Sequence, residues 1–349
     1  MEMFQNHPLA PYTSFKTGGP AEELYIVNQQ TDVVDLIRRS SPLHVLGYGC
    51  NVLISDNGLP GATLILRSNT ITQQDDLLIA DAGVWWDDLV EFSIQQQLYG
   101  LEMMSAIPGS VGAAVVGNIA AYGQAVSDTL AWVEVYDPVA NDVTELQPEE
   151  LGLSYRMSAF QSENMQRLII IRAAFKLSSS SQKPLAYESA LAIAHKNGWD
   201  TKTLAGRRNT ILEARNQAGS LWDYRDASGQ NQTAGSFFRN PIVTTEQAEQ
   251  IIKFDETGKS ADLIKKMNSV HGGDSLRVSA AHVLLAAGFK RGQSWGQVRL
   301  HPQHVLKIEN SGDATSQEIY DVAQEIIATV QARLGITLIP EVRFLGEFR

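Results

Sequence analysis

Short apolar runs rich in branched side chains recur through the first half of the chain. Leu43-His-Val-Leu-Gly47, Thr63-Leu-Ile-Leu-Arg67, Leu77-Leu-Ile-Ala-Asp81, Ala131-Trp-Val-Glu-Val-Tyr136 and Leu168-Ile-Ile-Ile-Arg172 predict strands. Between them the apolar spacing becomes helical: Val33, Val34, Leu36 and Ile37 follow a Thr31 cap, and Leu89, Val90, Phe92 and Ile94 form a second amphipathic stretch. Ser178-Ser-Ser-Ser-Gln-Lys183 predicts an exposed loop, and residues 185–215 predict helix. The final third predicts helices over 245–254, 279–287 and 316–334. The last opens on a capping box, Thr315-Ser-Gln-Glu318, and stops at Gly335, with a closing strand over Thr337 to Leu345. The class is mixed α and β without an internal repeat, and the polar, turn-rich Asp223-Tyr-Arg-Asp-Ala-Ser-Gly-Gln-Asn-Gln232 places a boundary near 220–232.

Composition narrows the class of function. A length of 349 residues implies two or three domains, and 44% hydrophobic with 19% charged residues is ordinary for a globular enzyme. No apolar run approaches the roughly 20 residues of a membrane span, and the first residues lack a basic then apolar signal. A net charge of −11 argues against a nucleic-acid or anionic-membrane partner, so any anionic ligand must meet a local basic pocket. A single cysteine, Cys50, excludes an internal disulfide framework and suits a reducing compartment, so the expected location is the cytoplasm.

Three segments carry candidate chemistry. Gly47-Tyr48-Gly49-Cys50-Asn51-Val52-Leu53 follows a predicted strand, and its glycines let backbone N–H groups approach a phosphate. A Rossmann fingerprint would need glycine where Val52 stands, and a plain strand-to-turn connection stays open. Ile107-Pro108-Gly109-Ser110-Val111-Gly112-Ala113-Ala114 through Asn118-Ile119-Ala-Ala-Tyr122-Gly123 holds four glycines, counting Gly117, among small residues. That suits a pyrophosphate, with close helix-to-sheet packing as the alternative. Ala234-Gly-Ser-Phe-Phe-Arg-Asn-Pro241 places Ser236 beside a glycine turn, with Phe237 and Phe238 as apolar walls. Other patterns fail. Thr257-Gly-Lys-Ser260 lacks the upstream P-loop glycine, since Lys253 stands there. His301-Pro-Gln-His304 has no nearby third ligand, so no metal site is expected, and no Gly-x-Ser-x-Gly elbow surrounds Ser236.

Taken in order, both loops, the Tyr155-Arg156-Met-Ser158-Ala-Phe160 segment, the Ser236 octapeptide and Pro340-Glu341-Val-Arg343-Phe344 resemble the UDP-N-acetylenolpyruvoylglucosamine reductases of peptidoglycan synthesis. The likeness starts at Thr13-Ser-Phe15-Lys-Thr-Gly18-Gly19-Pro20, includes Pro184-Leu-Ala-Tyr187 and closes on Gly346. It implies an α+β fold: a two-subdomain FAD-binding region of the vanillyl-alcohol-oxidase type and a separate α+β substrate domain. The implied spans are 1–67, with 343–349 returning to it, then 68–222 and 223–342. It implies FAD as cofactor, NADPH as reductant, a UDP-sugar substrate and a monomer. The implied FAD contacts are Gly47, Tyr48, Gly49, Cys50, Asn51, Val52 and Leu53, then Ile107, Pro108, Gly109, Ser110, Gly112, Ala113, Asn118, Ile119, Tyr122 and Gly123, and also Ile171.

The implied catalytic residues are Ser236 as proton donor to carbon, Arg156 as counter-charge to the substrate carboxylate, and Glu341 as hydrogen-bond donor or proton relay. Tyr187, Asn240, Arg277 and His304 match substrate-binding positions, Arg277 standing where lysine is common. The pattern breaks at Ala218, where the family has a lysine that Arg207, Arg208 or Arg225 would have to replace. It also breaks at Cys50 in place of serine and at Ala114-Val115-Val116-Gly117-Asn118 in the second loop. A divergent flavoenzyme with another nucleotide sugar or reductant, and a non-catalytic nucleotide-binding relative, stay open as alternatives.

Overall fold

The computed structural model describes residues 1–29, 43–181, 183–222, 232–254 and 276–349. The expected Thr31-capped helix, the Thr257–Ser260 motif, Arg225 and nearly all of the polar 223–232 stretch lie outside the described residues. The chain forms two compact units, one of residues 1–7, 21–49 and 60–228, the other of residues 8–20, 50–59 and 229–349.

The first unit holds two sheets. One runs Glu2–Pro8, Pro20–Val27, Leu59–Leu66, Leu43–Leu46 in spatial order, and its last pair is parallel, with Leu43 opposite Ala62 and Leu46 opposite Ile65. The other is antiparallel in the order Asp142–Leu146, Leu130–Asp137, Ile169–Lys176, Leu77–Asp81, Ile71–Gln74. All five predicted apolar runs form strands, because each contributes side chains to a buried face. The Glu2–Pro8 strand was not predicted; its residues are mostly exposed, so no apolar alternation marks it.

The Trp86–Gln95 helix buries Leu89 and Val90 as its spacing predicts. It also buries Trp86, whose ring meets Phe175 edge-on at 5.8 Å and whose Nε1 donates to Met104 O at 3.1 Å. The predicted helical stretch 185–215 is two helices, Glu188–Asn197 and Leu204–Gln217. Gly198 breaks it in the left-handed region at φ +68°, and Thr203 starts the second helix by accepting from Gly206 N at 3.0 Å.

The second unit packs the Thr245–Phe254, Ala280–Ala286 and Ser316–Leu334 helices with a meander of Ser294–Trp295, Val298–His301 and His304–Asn310. The capping box forms as predicted: Glu318 N donates to Thr315 Oγ1 at 3.2 Å and Thr315 N to Glu318 Oε2 at 2.8 Å. The predicted closing strand is shorter. Only Arg343–Leu345 pairs, in parallel with Val52–Ile54, because the preceding residues include Pro340, which has no N–H to give a ladder. Among the described residues no helix is long and apolar enough to cross a membrane.

Candidate active site

In the first unit the two glycine loops approach each other closely. A Cβ at Gly47 would lie 2.5 Å from Ser110 Oγ, so glycine there lets the loops meet. Arg67 ties the first loop down by donating to Gly47 O at 2.8 Å and lying 3.9 Å from the centroid of the Tyr48 ring, which packs edge-on against Trp85 at 4.7 Å. Gly109 has φ +142° and Gly123 φ +92°, and a Cβ at either would meet nothing within 4 Å. Left-handed backbone facing open space fits a pyrophosphate approached by main-chain atoms. The room lies at these two glycines and not at the first turn of the Val111–Gly117 helix. There Val111 N donates to Val84 O at 2.9 Å, Gly112 N to Ala82 O at 3.0 Å and Ala113 N to Ser110 Oγ at 3.3 Å.

Several implied flavin contacts have side chains committed elsewhere. Asn118 donates from Nδ2 to Ser154 O at 2.8 Å and accepts from Ser127 N at 3.0 Å. Ile171 is 4% exposed in the first unit's core, and Ile107 and Ile119 pack on that core. In the second unit Leu53 is fully buried, and Val52 and Leu53 are paired with Arg343 and Phe344. Any cofactor contact from Leu53 or Ile171 therefore falls to the backbone. Pro108 is half-buried and Ala113 exposed, while Cys50 O accepts from Ser14 Oγ at 3.4 Å.

Arg156 occupies a left-handed position, φ +55°, in a tight turn where Ser154 N donates to Met157 O at 3.0 Å and Met157 N to Ser154 O at 3.1 Å. A side chain there costs on the order of 1 kcal/mol or more, so its surroundings must hold it. They do: Gln161 Nε2 donates to Arg156 O at 3.2 Å and to Val116 O at 2.8 Å, and Arg156 Nη2 donates to Ala120 O at 3.2 Å. Beside it Tyr187 meets Tyr122 edge-on at 5.6 Å. Burial pushes both phenols up; Arg215 opposes this at Tyr122, and neighbouring tyrosines add to it at Tyr187. Both hydroxyls are thus neutral donors at neutral pH.

Two of the three cations expected to offset Ala218, Arg207 and Arg208, are already engaged in ion pairs. Arg207 pairs with Glu102 at 2.6 Å, and Arg208 grips both Asp87 oxygens at 2.8 Å and Glu91 at 2.6 Å. Arg215, which the sequence reading passed over, is different. Its Nη2 donates to Ser220 O at 2.9 Å, but its Nε is buried with no hydrogen-bond partner among the described residues. Burial lowers its pKa, Tyr122 and Asp87 pull it back up, and the nearby charge of Arg156 lowers it further. Two guanidiniums and two phenols in one unit make a cationic, donor-rich cluster. Its only sequence signal was basic charge in the last turn of an otherwise weakly amphipathic helix.

In the second unit the Ser236 octapeptide lies along the Ile339–Glu341 segment. Glu341 N donates to Phe237 O at 2.8 Å, Arg239 N to Ile339 O at 2.9 Å, and Phe238 bridges Pro340. Ser236 and Glu341 are thereby held together although 105 positions apart in numbering. Asn51 Nδ2 donates to Glu341 O at 3.0 Å, fixing that carbonyl as well. Ser236 is exposed after Gly235 at φ +78°, and Glu341 is half-buried. Phe237 and Phe238 do not wall an exposed pocket as expected. They are 0% and 1% exposed and pack with Phe15 and Phe344, anchoring the serine from beneath.

Asn240 and Arg277 also come together, Arg277 Nη1 donating to Asn240 O at 2.7 Å. Asn240 Oδ1 accepts from Ala280 N at 2.9 Å at the start of a helix. His304 is held down to about 4 by burial and then by the charges of Lys307 and Arg291, so it is neutral at pH 7. Among the described residues no group of three metal-ligating side chains occurs.

The chain is similar to known proteins over nearly its whole length. A family profile described as FAD binding domain covers residues 24–141, and one described as UDP-N-acetylenolpyruvoylglucosamine reductase, C-terminal domain, covers residues 226–345. UDP-N-acetylenolpyruvoylglucosamine reductase of Streptomyces coelicolor is 33% identical over 96% of this chain and 88% of its own length. That of Thermobifida fusca is 33% identical over 98% of both. The crystal structure of UDP-N-acetylenolpyruvylglucosamine reductase from Thermus caldophilus shares the fold, with TM-score 0.65 and 23% identity over 99% of this chain and 98% of the other. The fold and its flavin region define an FAD-dependent oxidoreductase with a separate C-terminal α+β domain. The chain belongs to the UDP-N-acetylenolpyruvoylglucosamine reductase family.

Proposed function

We propose that this protein reduces the enolpyruvyl ether of UDP-N-acetylenolpyruvoylglucosamine to UDP-N-acetylmuramate with NADPH, a step of peptidoglycan synthesis. The Gly47–Gly49 and Gly109–Gly123 backbone would hold FAD, which when bound would supply hydride transfer from NADPH to the terminal carbon of the ether. Reduction leaves enolate-like charge beside the substrate carboxylate, which calls for fixed cations and donors. Arg156 supplies the fork-shaped counter-charge, and Glu341, in its protonated form, donates a hydrogen bond to the developing anion or relays a proton. Ser236 delivers its hydroxyl proton to the carbon adjacent to the new C–H bond and is reprotonated from water, for which its exposure suits it. Tyr187, Asn240, Arg277 and neutral His304 hold the UDP-sugar.

The observation that carries this reading is the backbone pairing of the Ser236 octapeptide with the Glu341 segment, which brings two chain segments 105 positions apart together. We further assign residues 1–67 with 343–349 and residues 68–222 as the flavin subdomains and 223–342 as the substrate domain, in a cytoplasmic monomer without nucleic-acid or membrane partners. Single-turnover kinetics on Ser236→Ala test the proton-donor role. Flavin reduction by NADPH should keep its rate while product formation falls by roughly 10²–10⁴-fold. Equal loss in both half-reactions sinks the assignment.

A further inference from the structure

Adjacent arginines on the Leu204–Gln217 helix bracket the approach to the second glycine loop. Arg207 holds Glu102 at 2.6 Å, where the approach begins. Arg208 holds Asp87 through two bonds of 2.8 Å, and Asp87 Oδ1 accepts from Ala106 N at 2.6 Å, where the approach ends and Ile107-Pro108-Gly109-Ser110 starts. Ala106 sits at φ +56°, a left-handed conformation that alanine resists. The side chains of Arg208 and Asp87 are 14% and 13% exposed, so the pair is fixed and shielded from solvent.

We propose that Arg208 is a positioning residue for FAD: through Asp87 it holds Ala106 in its strained conformation and so sets the loop that opens on Gly109. Arg208 lies outside the 24–141 flavin-domain match, so flavin affinity is controlled from a helix that domain does not contain. The same helix carries Arg215 two turns further on, and the Asp87 charge acts on Arg215 as well. One carboxylate therefore links the flavin loop to the buried cation. The proposal rests on the Gly109 loop being the flavin site.

The test is FAD titration of apoprotein, read by quenching of flavin fluorescence, with the apoprotein's thermal midpoint as a check on folding. Arg208→Ala should weaken FAD binding about tenfold, the equivalent of one hydrogen bond to a charged group. Arg208→Lys, which keeps the charge and loses the fork, should fall between and covers the case of an Arg208→Ala protein that does not fold. Glycine adopts the left-handed region without strain, so Ala106→Gly should restore most of the FAD affinity lost with Arg208, a rescue that a merely structural role for Arg208 would not show. Undiminished FAD affinity in both Arg208 variants while Gly109→Ala weakens it, or absence of rescue by Ala106→Gly, overturns the proposal. If Gly109→Ala is also without effect, the loop is not the flavin site and the proposal falls with that reading.

Discussion

Removing the Arg207 side chain tests what fastens the Leu204–Gln217 helix, and its cost follows from four contacts. Glu102 is 0% and Arg207 4% exposed in their side chains, and their oxygen and nitrogen lie 2.6 Å apart. Among the described residues Glu102 has one other donor, Gly100 N at 2.7 Å, while Arg207 also donates to Thr201 O at 2.8 Å and Ser181 Oγ at 2.6 Å. Arg207→Ala therefore strands a buried carboxylate on one backbone N–H and leaves two acceptors without their donor. An exposed pair would be worth about 1 kcal/mol or less, whereas breaking a buried one costs about 3–5 kcal/mol. For a unit of this size that lowers its melting midpoint by roughly 10 °C. Trp85, Trp86, Trp132, Trp199 and Trp222 all lie in the first unit, against Trp295 in the second, so tryptophan fluorescence in urea reports chiefly on the unit concerned. The double variant Arg207→Ala with Glu102→Ala should recover a substantial part of the loss, because no unpaired charge stays buried. A single-variant loss below about 1 kcal/mol, or a double variant no better than the single, refutes the reasoning.

Two further outcomes follow from other sites. His304 has a folded pKa of about 4 against an unfolded value of about 6.5, so the folded state resists protonation that the unfolded state accepts. Stability is then complete above pH 6.5 and falls between about 6.5 and 4 by on the order of 3 kcal/mol. Amide exchange of the 298–310 hairpin at pH 7 and pH 5 should show the loss, and His304→Gln should remove most of that difference. Gly47→Ala places a Cβ 2.5 Å from Ser110 Oγ, so it should weaken FAD binding several-fold by prising the loops apart, with Ser110→Gly restoring it; unchanged affinity in apoprotein titration counts against the loop pair as the flavin site.

Local order was readable where local forces set it. The five apolar runs, the Ser316–Leu334 helix with its box and the Gly335 stop depend on neighbours within four positions, and periodicity and capping chemistry report those directly. The division of the 185–215 stretch was signalled by Gly198 and Thr203, but its apolar residues read equally well as one helix. Arg215 was missed because a buried guanidinium has the same letter as a solvated one, and burial comes from the chain folded over it. The ion pairs of Arg207 and Arg208 were unreadable for the same reason, since their carboxylate partners lie more than 100 positions away.

The amino-acid sequence alone determined the secondary-structure class, the glycine loops and, through motif order, the family with its cofactor and its candidate residues. Tertiary structure decided which of those residues are available. It turned Phe237 and Phe238 from pocket walls into anchors, committed Asn118 and the Val111–Gly117 first turn to internal bonds, and joined the Ser236 and Glu341 segments through backbone hydrogen bonds. A side chain's type is local, but its solvation and hydrogen-bond partners are set by contacts between distant segments, and those determine whether an arginine is a strut or a ligand.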